Sequence, residues 1–553
     1  MRIFNKVSSS LTWFTFFTLF IIGTLTSISY AISLKLGPIV YLISICLSAT
    51  IAAFFSIIII PMRGGGKLRY AYIGLTIGFF FIFFIIDYFI FFHFSKVFSK
   101  EILDIVANTN KRESYEFLST YLTSAKLILF IAGMAIIFSI VWRLAVILSK
   151  SKLAKISAYI LVAIGIWIWG YCVYGFYSYR NGRSIPQYSF LSRYAYLAIR
   201  VINEAKELDD LCEYNKKFLK DYHQSASCKN DSLIICLIIG ESHSLFHTDE
   251  YGYDKITFPK LKEIKQDSTR GKIVWFTDMI TISDHTHNAM QSIFSIYKDK
   301  NTSIFGQSIM FPIIFRAKGY RTELYDNQYL EGRGFSFLVN KKLSDILFSF
   351  RNNEITTDES LIEQIDTTSH KKLIIAHLMG SHYAYSSRYP HDRFSIYTTA
   401  DYHSRFSQEQ KQILAHYDNS LIYTDHNLAM LIEKLKNKKS VIVYISDHGE
   451  EIYDQGKYMG HGNAATRPIP DYQISIPMFI WMSNKYINMY PNKYNQIINN
   501  YNRPGITSQI GHLLLDLANE NDEPFDSTLS IINPNYQNPK RIVLHSIDYD
   551  RIR

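Results

Sequence analysis

The chain has 553 residues and a formal net charge of +10, with 48% hydrophobic, 15% aromatic and only 19% charged residues. This balance is too apolar for a chain of soluble domains alone, and it favours one membrane half and one polar half. The basic residues form no dense run of the kind that binds nucleic acid, so we expect membrane and phosphate partners and no nucleic acid.

Five apolar segments of membrane length occupy the first 180 residues. Each is close to the roughly 20 residues that a helix needs to cross a bilayer, and five in series are hard to explain as buried core helices. The segments are Leu11–Leu34, Ile39–Ile60, Ala71–Phe92, Leu127–Trp142 and Ile156–Tyr179. Their one acidic residue, Asp87, is interpreted as a polar cap at the outer membrane interface, with a substrate contact as the alternative.

The charges between these segments set their orientation. The N-terminus and two of the connections carry only basic charges, whereas the third-to-fourth connection carries both signs. The purely basic set is Arg2, Lys6, Arg63, Lys67, Arg69, Arg143, Lys150, Lys152 and Lys155. The positive-inside rule then places the N-terminus in the cytoplasm, and five crossings place the rest of the chain outside.

Residues 181–230 are interpreted as a connector. In LSRYAYLAIR the arginines alternate with aromatic residues, which favours an amphipathic helix on the membrane surface, with a solvated linker as the alternative. From residue 231 onward, short apolar runs alternate with helical stretches such as YDNSLIYTDHNLAMLIEKLKN. The runs are SLIICLIIG, KIVWF, KLIIAHLMG, SVIVYISDHG and SIPMFIW. This alternation predicts a mainly parallel sheet covered by helices on both faces, an α/β/α sandwich.

The cysteines divide into two groups. Cys46, Cys172 and Cys236 lie in apolar runs and are expected to pack in the interior. Cys212 and Cys228 lie in polar sequence and are candidates for a disulfide if the domain is exported. No Cys/His spacing typical of zinc is present, so any metal site must use Asp, Glu, His and hydroxyl groups.

Functional groups in such folds gather at the carboxyl ends of the strands. Three strand ends carry metal-type or acid/base residues: GESH at 240–243, GSH at 380–382 and SDHGE at 446–450, and GHG follows at 460–462. Glu241, Asp447 and His448 would supply two carboxylates and one imidazole, a set that suits zinc.

The fourth position of such a site would be a hydroxyl nucleophile. Coordination lowers the pKa of the hydroxyl, and the metal neutralises charge on a phosphoryl group. The residue types and their spacing leave four candidates open: Ser242, Thr281, Ser283 and Thr286.

The motifs as an ordered set resemble one family. GESHS, YGY and FP, the Thr286 stretch, HLMGSH with RYP, YDNSLIYTD, and SDHGE with HG resemble the membrane-bound phosphoethanolamine transferases. That family belongs to the alkaline phosphatase and sulfatase superfamily and includes the lipid A and lipopolysaccharide-core enzymes. The resemblance implies a five-helix transmembrane domain (1–180), a membrane-surface connector (181–230) and a periplasmic catalytic α/β domain (231–553) in a bacterial inner membrane.

The resemblance also implies roles for individual residues. Thr286 matches the nucleophile, which is also a metal ligand. His382 and His461 match histidines that hold the substrate phosphate, assist catalysis or bind a second metal, and Asn327 matches a substrate-side Asn. The implied metal set is Glu241, Thr286, Asp447 and His448, with one zinc ion and, as the alternative, two.

The implied reaction is transfer of phosphoethanolamine from phosphatidylethanolamine, through phosphothreonine, to a lipopolysaccharide core sugar, a lipid A phosphate or another envelope acceptor, by a monomer. One region departs from the family. The lipid A enzymes bracket the nucleophile with cysteines, whereas this chain has Asp284, His285 and Ser292 there. His285 and His287, which flank Thr286, either assist proton transfer and shape the acceptor site or are surface turn residues.

Three other functions are compatible with parts of the sequence. A phosphoglycerol transferase of the lipoteichoic-acid-synthase or glucan type would share the fold and the threonine, and GES with YDNSLIYTD argues against it. A sulfatase would need a C/S-x-P-x-R motif, which the sequence lacks, and a phosphatase would release its product to water. A non-catalytic envelope protein would have no reason to retain all four metal-site residues.

Overall fold

The computed structural model describes residues 2–33, 38–62, 66–94, 98, 102–103, 125–178, 190–222, 232–296, 308–328, 349–350, 357–368, 371–462, 464, 467–544 and 546–552. The chain divides into two compact units, Met1–Ala205 and Lys206–Arg553. The predicted partner of Cys212, Cys228, lies outside the described residues, so their disulfide stays a prediction.

The first unit contains five helices that are long and apolar enough to span a membrane, which confirms the five predicted segments. They are α1 (Arg2–Ser33), α2 (Pro38–Ile57), α3 (Gly66–Phe94), α4 (Ala125–Lys150) and α5 (Lys152–Ser178). The fourth is longer than its apolar segment because the helix continues through Arg143 to Lys150. A further helix, α6 (Phe190–Asp221), begins in the first unit and ends in the second.

Small residues let α2 and α5 approach closely. A Cβ atom on Gly165 would lie 2.0 Å from Oγ1 of Thr50 and 2.3 Å from the carbonyl oxygen of Cys46, so this contact tolerates only glycine. Cys46 is fully buried, as its apolar context predicts. Close backbone approach at small residues is a common way for membrane helices to associate.

Asp87 on α3 forms a buried ion pair with Arg193 on α6. The two side chains are 0% and 1% exposed. The Asp87 carboxylate also accepts hydrogen bonds from the Tyr194 hydroxyl (3.3 Å) and the Phe98 amide (3.0 Å). The two charges neutralise each other inside the unit, where a lone charge would be costly, so Arg193 does not face solvent. The position of Asp87 at the outer membrane interface stays a prediction.

The second unit is built on short strands with helices between them. Its strands are β1 (Ile234–Gly240), β2 (Lys272–Phe276), β3 (Met279–Ile280), β4 (Ser295–Ile296), β5 (Ile309–Met310), β6 (Arg321–Asp326), β7 (Ser349–Phe350), β8 (Lys372–His377), β9 (Ser440–Ser446), β10 (Glu451–Ile452), β11 (Met459–Gly460), β12 (Met478–Met482), β13 (Gly505–Ile506), β14 (Ile542–Val543) and β15 (Ile547–Asp548). Its helices are α7 (Pro259–Gln266), α8 (Thr286–Phe294), α9 (Phe311–Ala317), α10 (Asp358–Gln364), α11 (His391–Phe394), α12 (Gln408–Leu435), α13 (Asp471–Ile474), α14 (Asn484–Met489), α15 (Pro491–Asn500), α16 (Ile510–Leu517) and α17 (Tyr549–Ile552).

Seven strands form the central sheet in the order β2-β12-β9-β1-β8-β6-β7. The five strands from β9 to β7 are parallel, and β12 runs antiparallel to both β9 and β2. The predicted mainly parallel sheet is therefore confirmed. Strand β6 was not among the predicted runs, because RTELYD carries Glu323, a buried charge that pairs with Arg321 and Lys372.

Alternating residues of β1 enter opposite cores. Ile235, Leu237 and Ile239 pack in the core that contains α8, α9 and α16. Cys236 and Ile238 pack in the core that contains α7, α10 and α12. Both faces of β1 are thus covered by apolar side chains, and the polar residues that follow β1 lie at its carboxyl end.

Candidate active site

Neighbouring parallel strands bring the predicted motifs to one edge of the sheet. In the register of β1, Gly240 pairs with Ser446 of β9, and Ile239 pairs with His377 of β8. The residues that follow these strands therefore meet, as expected at the carboxyl ends of a parallel sheet. Glu241, which follows β1, and the Asp447-His448 pair, which follows β9, come together there.

Glu241 is held at the start of a strained turn. Ser242, the next residue, has a φ of 55°, a left-handed conformation that is uncommon for a residue other than glycine. The Ser242 hydroxyl donates to Oε1 of Glu241 (2.8 Å), and its amide donates to Oδ1 of Asp447 (3.2 Å). The turn therefore orients both carboxylates together.

His448 presents one nitrogen to the carboxylates. Its Nδ1 donates to the carbonyl of Gly449 (2.9 Å), which leaves Nε2 to face the site. Nε2 lies 3.4 Å from Oε1 of Glu241 and 3.3 Å from Oδ2 of Asp447. All three side chains are at most 1% exposed.

Thr286 is the hydroxyl that the structure brings to this group. It is the first residue of α8, and its Oγ1 lies 3.1 Å from Nε2 of His448 and 3.5 Å from Oε2 of Glu241. The other open candidates have other partners: the Ser242 hydroxyl donates to Oε1 of Glu241, the Thr281 hydroxyl donates to the carbonyl of Ser283, and the Ser283 hydroxyl accepts from the amide of His285. The first turn of a helix favours an anion, which suits a phosphoryl group at Thr286.

The charges in this group are unbalanced. Burial, together with the nearby Glu241 carboxylate, raises the pKa of Asp447 to about 7. Burial also acts to raise the pKa of Glu241, but the imidazoles around it, above all that of His448, hold it well below its usual range. Burial acts to lower the pKa of His448, whereas the two carboxylates raise it to about 9.

These features fit a bound cation. Oδ2 of Asp447 is buried and accepts no hydrogen bond from the residues that the structure describes. One ligand atom each from Glu241, Asp447 and His448 lie within 4.8 Å of one another. Two carboxylates, one imidazole nitrogen and the Thr286 hydroxyl form a donor set that zinc accepts in a four-coordinate site.

The two other predicted histidines border the same site. The ring centroid of His461 lies 4.1 Å from that of His448, and Nδ1 of His461 contacts Oε2 of Glu450 at 2.6 Å. The other oxygen of Glu450 accepts from the Tyr385 hydroxyl at 2.5 Å. His382 lies near enough to Glu241 to lower the pKa of that carboxyl.

Asn327 is brought to the same edge of the sheet but turns to another partner. Its amide donates to Oδ1 of Asp358 (2.7 Å), and Asp358 also accepts from the backbone amides of Met379 and Gly380. The next residue, Gln328, reaches the site and donates to Oε2 of Glu241 at 2.7 Å. The substrate-side role of Asn327 stays a prediction.

Hydrogen bonds tie down the loop before Thr286, where the sequence lacks the expected cysteines. Asp284 is buried and accepts from the backbone amide of Ala464 (2.8 Å), while its other oxygen contacts Nδ1 of His285 (2.8 Å). Burial acts to raise the pKa of Asp284, but the hydrogen bond to His285 holds it well below its usual range. His287 contacts Gln291 one turn along α8 at 3.0 Å.

Most of the second unit matches a known protein family. A family model described as Sulfatase matches residues 234–520, more than half of the chain. The chain belongs to the sulfatase family. Within it, the chain is similar to the phosphoethanolamine transferase EptC of Escherichia coli K12, with 24% identity over 507 residues that cover 83% of each chain.

Solved structures extend the comparison to both halves. The C-terminal periplasmic domain of Escherichia coli EptC, in a complex with zinc, matches 57% of this chain and 92% of that one, with 25% identity and a TM-score of 0.50. The integral membrane protein lipooligosaccharide phosphoethanolamine transferase A of Neisseria meningitidis matches 94% of this chain and 97% of that one, with a TM-score of 0.58. At 17% identity, the second similarity establishes the shared fold alone.

Proposed function

We propose that this chain transfers phosphoethanolamine from phosphatidylethanolamine to a cell-envelope acceptor, with Thr286 as the nucleophile in a zinc site. The observation that carries the proposal is the position of the Thr286 hydroxyl, 3.1 Å from Nε2 of His448 and beside two buried carboxylates. The similarity to EptC over both halves of the chain supports the same donor group.

The proposed ligands are Glu241, Thr286, Asp447 and His448. When bound, zinc would lower the pKa of the threonine hydroxyl and neutralise charge on the phosphoryl oxygens. Two ions remain the alternative to one, with His461 near the second.

The residues of the chain account for the two steps of the transfer. The deprotonated Oγ1 of Thr286 attacks the phosphorus of phosphatidylethanolamine, the bond from phosphorus to the diacylglycerol oxygen breaks, and phosphoethanolamine stays on Thr286. His382 or His461 gives a proton to the departing oxygen. An acceptor oxygen then attacks the phosphorus, the same imidazole takes up the acceptor proton, and the bond from phosphorus to Oγ1 breaks, which returns Oγ1 of Thr286 to its deprotonated form.

Glu450 gives His461 a defined role in this scheme. Because Nδ1 of His461 is engaged by Glu450, the other ring nitrogen remains for the reacting oxygens. His382 is less constrained, since its Nδ1 has no hydrogen-bond partner in the described part of the chain. We therefore place His461 first as the proton carrier and His382 as a ligand of the substrate phosphate.

The proposed setting follows from the five membrane-capable helices and from the periplasmic domains of the similar proteins. We place the first unit in the bacterial inner membrane, the N-terminus in the cytoplasm and the catalytic unit in the periplasm, with the protein acting as a monomer. The acceptor is a lipopolysaccharide core sugar or a lipid A phosphate.

The direct test is the intact mass of the full-length protein in detergent after incubation with phosphatidylethanolamine and zinc, without an acceptor. We expect a gain equal to one phosphoethanolamine, which Thr286→Ala abolishes. Ser292→Ala, which removes a buried hydroxyl from the same helix, should keep the gain. Subsequent addition of purified lipopolysaccharide should discharge the adduct.

Other results would change the proposed donor or nucleophile, or would contradict the proposed transfer. A gain equal to glycerol phosphate, obtained only from phosphatidylglycerol, would identify a phosphoglycerol transferase. No adduct and no diacylglycerol release with either lipid, in protein that has bound zinc, would exclude both transferases. An adduct that persists in Thr286→Ala would move the nucleophile to another residue.

A further inference from the structure

Glu241, the proposed metal ligand, has contacts on both of its side-chain oxygens. Oε1 accepts from the Ser242 hydroxyl at 2.8 Å, and Oε2 accepts from the Gln328 amide at 2.7 Å. A third group, Nε2 of His377, faces Oε2 at 3.8 Å. These contacts come from three different strand ends, so the orientation of Glu241 depends on the assembled sheet.

His377 is fixed from behind by a second carboxylate. It ends β8, between β1 on one side and β6 on the other, and it pairs in register with both Ile239 and Asp326. Nδ1 of His377 lies 2.8 Å from Oδ1 of Asp326, and both side chains are buried. Because Nδ1 is engaged by Asp326, the Nε2 edge of the ring is held towards Glu241.

The position of His377 is unusual for a residue that only fills the core. The rest of β8 up to His377, apart from its first residue, is Leu373, Ile374, Ile375 and Ala376, all fully buried. A further aliphatic residue would pack there without the need for a buried polar partner. The chain instead places an imidazole there, with one ring nitrogen facing Glu241 and the other contacting the carboxylate of Asp326.

We propose that His377 and Asp326 are positioning residues that fix the Glu241 carboxylate for zinc. This inference rests on the proposed function only through the identity of the metal. Groups that orient a metal ligand from outside the coordination shell typically contribute ten- to a hundredfold to metal affinity. His377 therefore sets how tightly the site holds zinc, and the Thr286 hydroxyl depends on it through the metal.

The test is zinc affinity of the full-length protein in detergent, measured by competition with a chromophoric chelator. We expect His377→Ala to weaken zinc binding by about ten- to a hundredfold. His377→Gln should recover part of that loss, because its side-chain amide can point an N–H group towards Oε2 of Glu241. The matched control is His512→Ala, which removes an imidazole that is 2% exposed on α16, outside the candidate site.

Cobalt separates a positioning residue from a ligand. At saturating cobalt, the visible absorption bands of His377→Ala should match those of the wild type, because the coordinating atoms are unchanged. A band shift that indicates loss of a nitrogen ligand would overturn the positioning role and make His377 a ligand. Zinc affinity within twofold of the wild type in His377→Ala would also overturn the inference.

Asp326→Asn keeps the test decisive if His377→Ala does not fold. It retains the size of the side chain and weakens only the contact with Nδ1, so we expect a smaller loss of zinc affinity in the same direction. Unchanged affinity in both Asp326→Asn and His377→Gln would overturn the inference. A wild-type protein that binds no zinc would instead contradict the proposed function and remove the basis of the inference with it.

Discussion

Two clusters of fully buried charge, one in each unit, differ in how their charges balance. In the membrane unit, Asp87 is neutralised by Arg193 and receives two further hydrogen bonds, so no cation is needed. In the catalytic unit, the two carboxylates of Glu241 and Asp447 both face the imidazole of His448, and one oxygen of Asp447 accepts no hydrogen bond from the described residues.

The difference distinguishes a structural cluster from a binding site. A buried charge is tolerated when a partner and hydrogen bonds compensate it, and otherwise its pKa shifts or it binds an ion. The raised pKa of Asp447, which burial and Glu241 cause, indicates charge that the protein alone does not compensate. The membrane pair is therefore expected to act in stability, and the catalytic group in metal binding.

The largest expected effect comes from Asp447→Asn. Asparagine keeps the shape of the side chain and an acceptor for the amides of Ser242 and His448, but it removes the uncompensated charge. We expect loss of zinc and a fall in phosphoethanolamine transfer on the order of a thousandfold, the range seen when a group that stabilises the transition state is removed. In excess chelator, the same variant should be more stable than the wild type by about 1–2 kcal/mol.

Transfer to lipopolysaccharide and thermal unfolding in chelator measure the two effects of Asp447→Asn. The control is Asp454→Asn, since that carboxylate faces His247 at 3.8 Å and touches no proposed ligand. Wild-type zinc affinity in Asp447→Asn would show that the Asp447 charge does not bind the metal. The contrast between a structural cluster at Asp87 and a metal site at Asp447 would then be wrong.

The next effect is on the membrane pair. Arg193→Met leaves Asp87 buried with only two hydrogen bonds, and we expect a loss of about 3–5 kcal/mol in unfolding free energy in detergent. The double variant Asp87→Asn with Arg193→Met removes both charges and should recover most of that loss. Zinc affinity should be unchanged in all variants, because the pair lies in the membrane unit.

A double-mutant cycle from thermal unfolding checks this prediction, with Arg143→Met, an exposed arginine on α4, as the control. If the double variant is as unstable as the single one, the two charges do not compensate each other and the pair is not a closed structural cluster.

The sequence predicted which residues follow the strands, but not which side chains from other elements contact those residues. Long apolar runs such as those of β1 and β9 identify buried strands, and parallel strands must bring Glu241 and Asp447 to one edge. Strand β6 was missed because Glu323 is buried in ion pairs with Arg321 and Lys372, and a pattern of apolar residues does not reveal such pairs. His377 was inside a predicted run, yet its role depends on the register between β1, β8 and β6, which only the fold supplies.

The same limit applies to polar partners distant in sequence. Asp87 and Arg193 stand 106 positions apart in the sequence, and nothing in either segment indicates that they meet. Gln328 and Asn327 are adjacent, and sequence alone could not show which of them reaches Glu241. Choosing Thr286 among four hydroxyls likewise required either the family resemblance or the structure.

A smaller effect is expected at Glu450, a buried acid that is compensated inside the catalytic unit. His461 contacts one of its oxygens and the Tyr385 hydroxyl the other, so it resembles Asp87 more than Asp447. Glu450→Gln should retain zinc affinity but loosen the orientation of His461, and we expect the transfer rate to fall by about ten- to a hundredfold.

The check on Glu450→Gln is steady-state transfer together with the rate of adduct formation on Thr286. A matched control is Glu451→Gln, which alters the next acid in the chain, one that pairs with Arg467. Loss of zinc in Glu450→Gln would mean that Glu450 is a metal ligand. Compensation of a buried charge by protein groups would then not exclude a role in metal binding.

The smallest expected effect comes from a neutral group, the hydroxyl of Tyr417. It tests whether uncharged hydrogen bonds also orient a proposed metal ligand. The Tyr417 hydroxyl on α12 donates to the carbonyl of Ser242 (2.7 Å) and accepts from the amide of Ser244 (2.8 Å), so it ties down the turn that follows Glu241. Tyr417→Phe removes both hydrogen bonds and leaves two backbone groups unsatisfied, which should cost about 1–2 kcal/mol in unfolding free energy.

Zinc affinity is the measurement that decides what the Tyr417 hydroxyl does. Because Ser242 and Gln328 still contact Glu241 in Tyr417→Phe, we expect zinc affinity to stay within about threefold of the wild type, well below the effect expected at His377. Tyr385→Phe serves as the matched control, since it removes a buried hydroxyl that contacts Glu450 instead of the turn. A tenfold loss of zinc affinity in Tyr417→Phe would mean that neutral hydrogen bonds to the turn orient Glu241 as strongly as His377 and Asp326 do. Charge balance alone would then not distinguish the metal site from the residues around it.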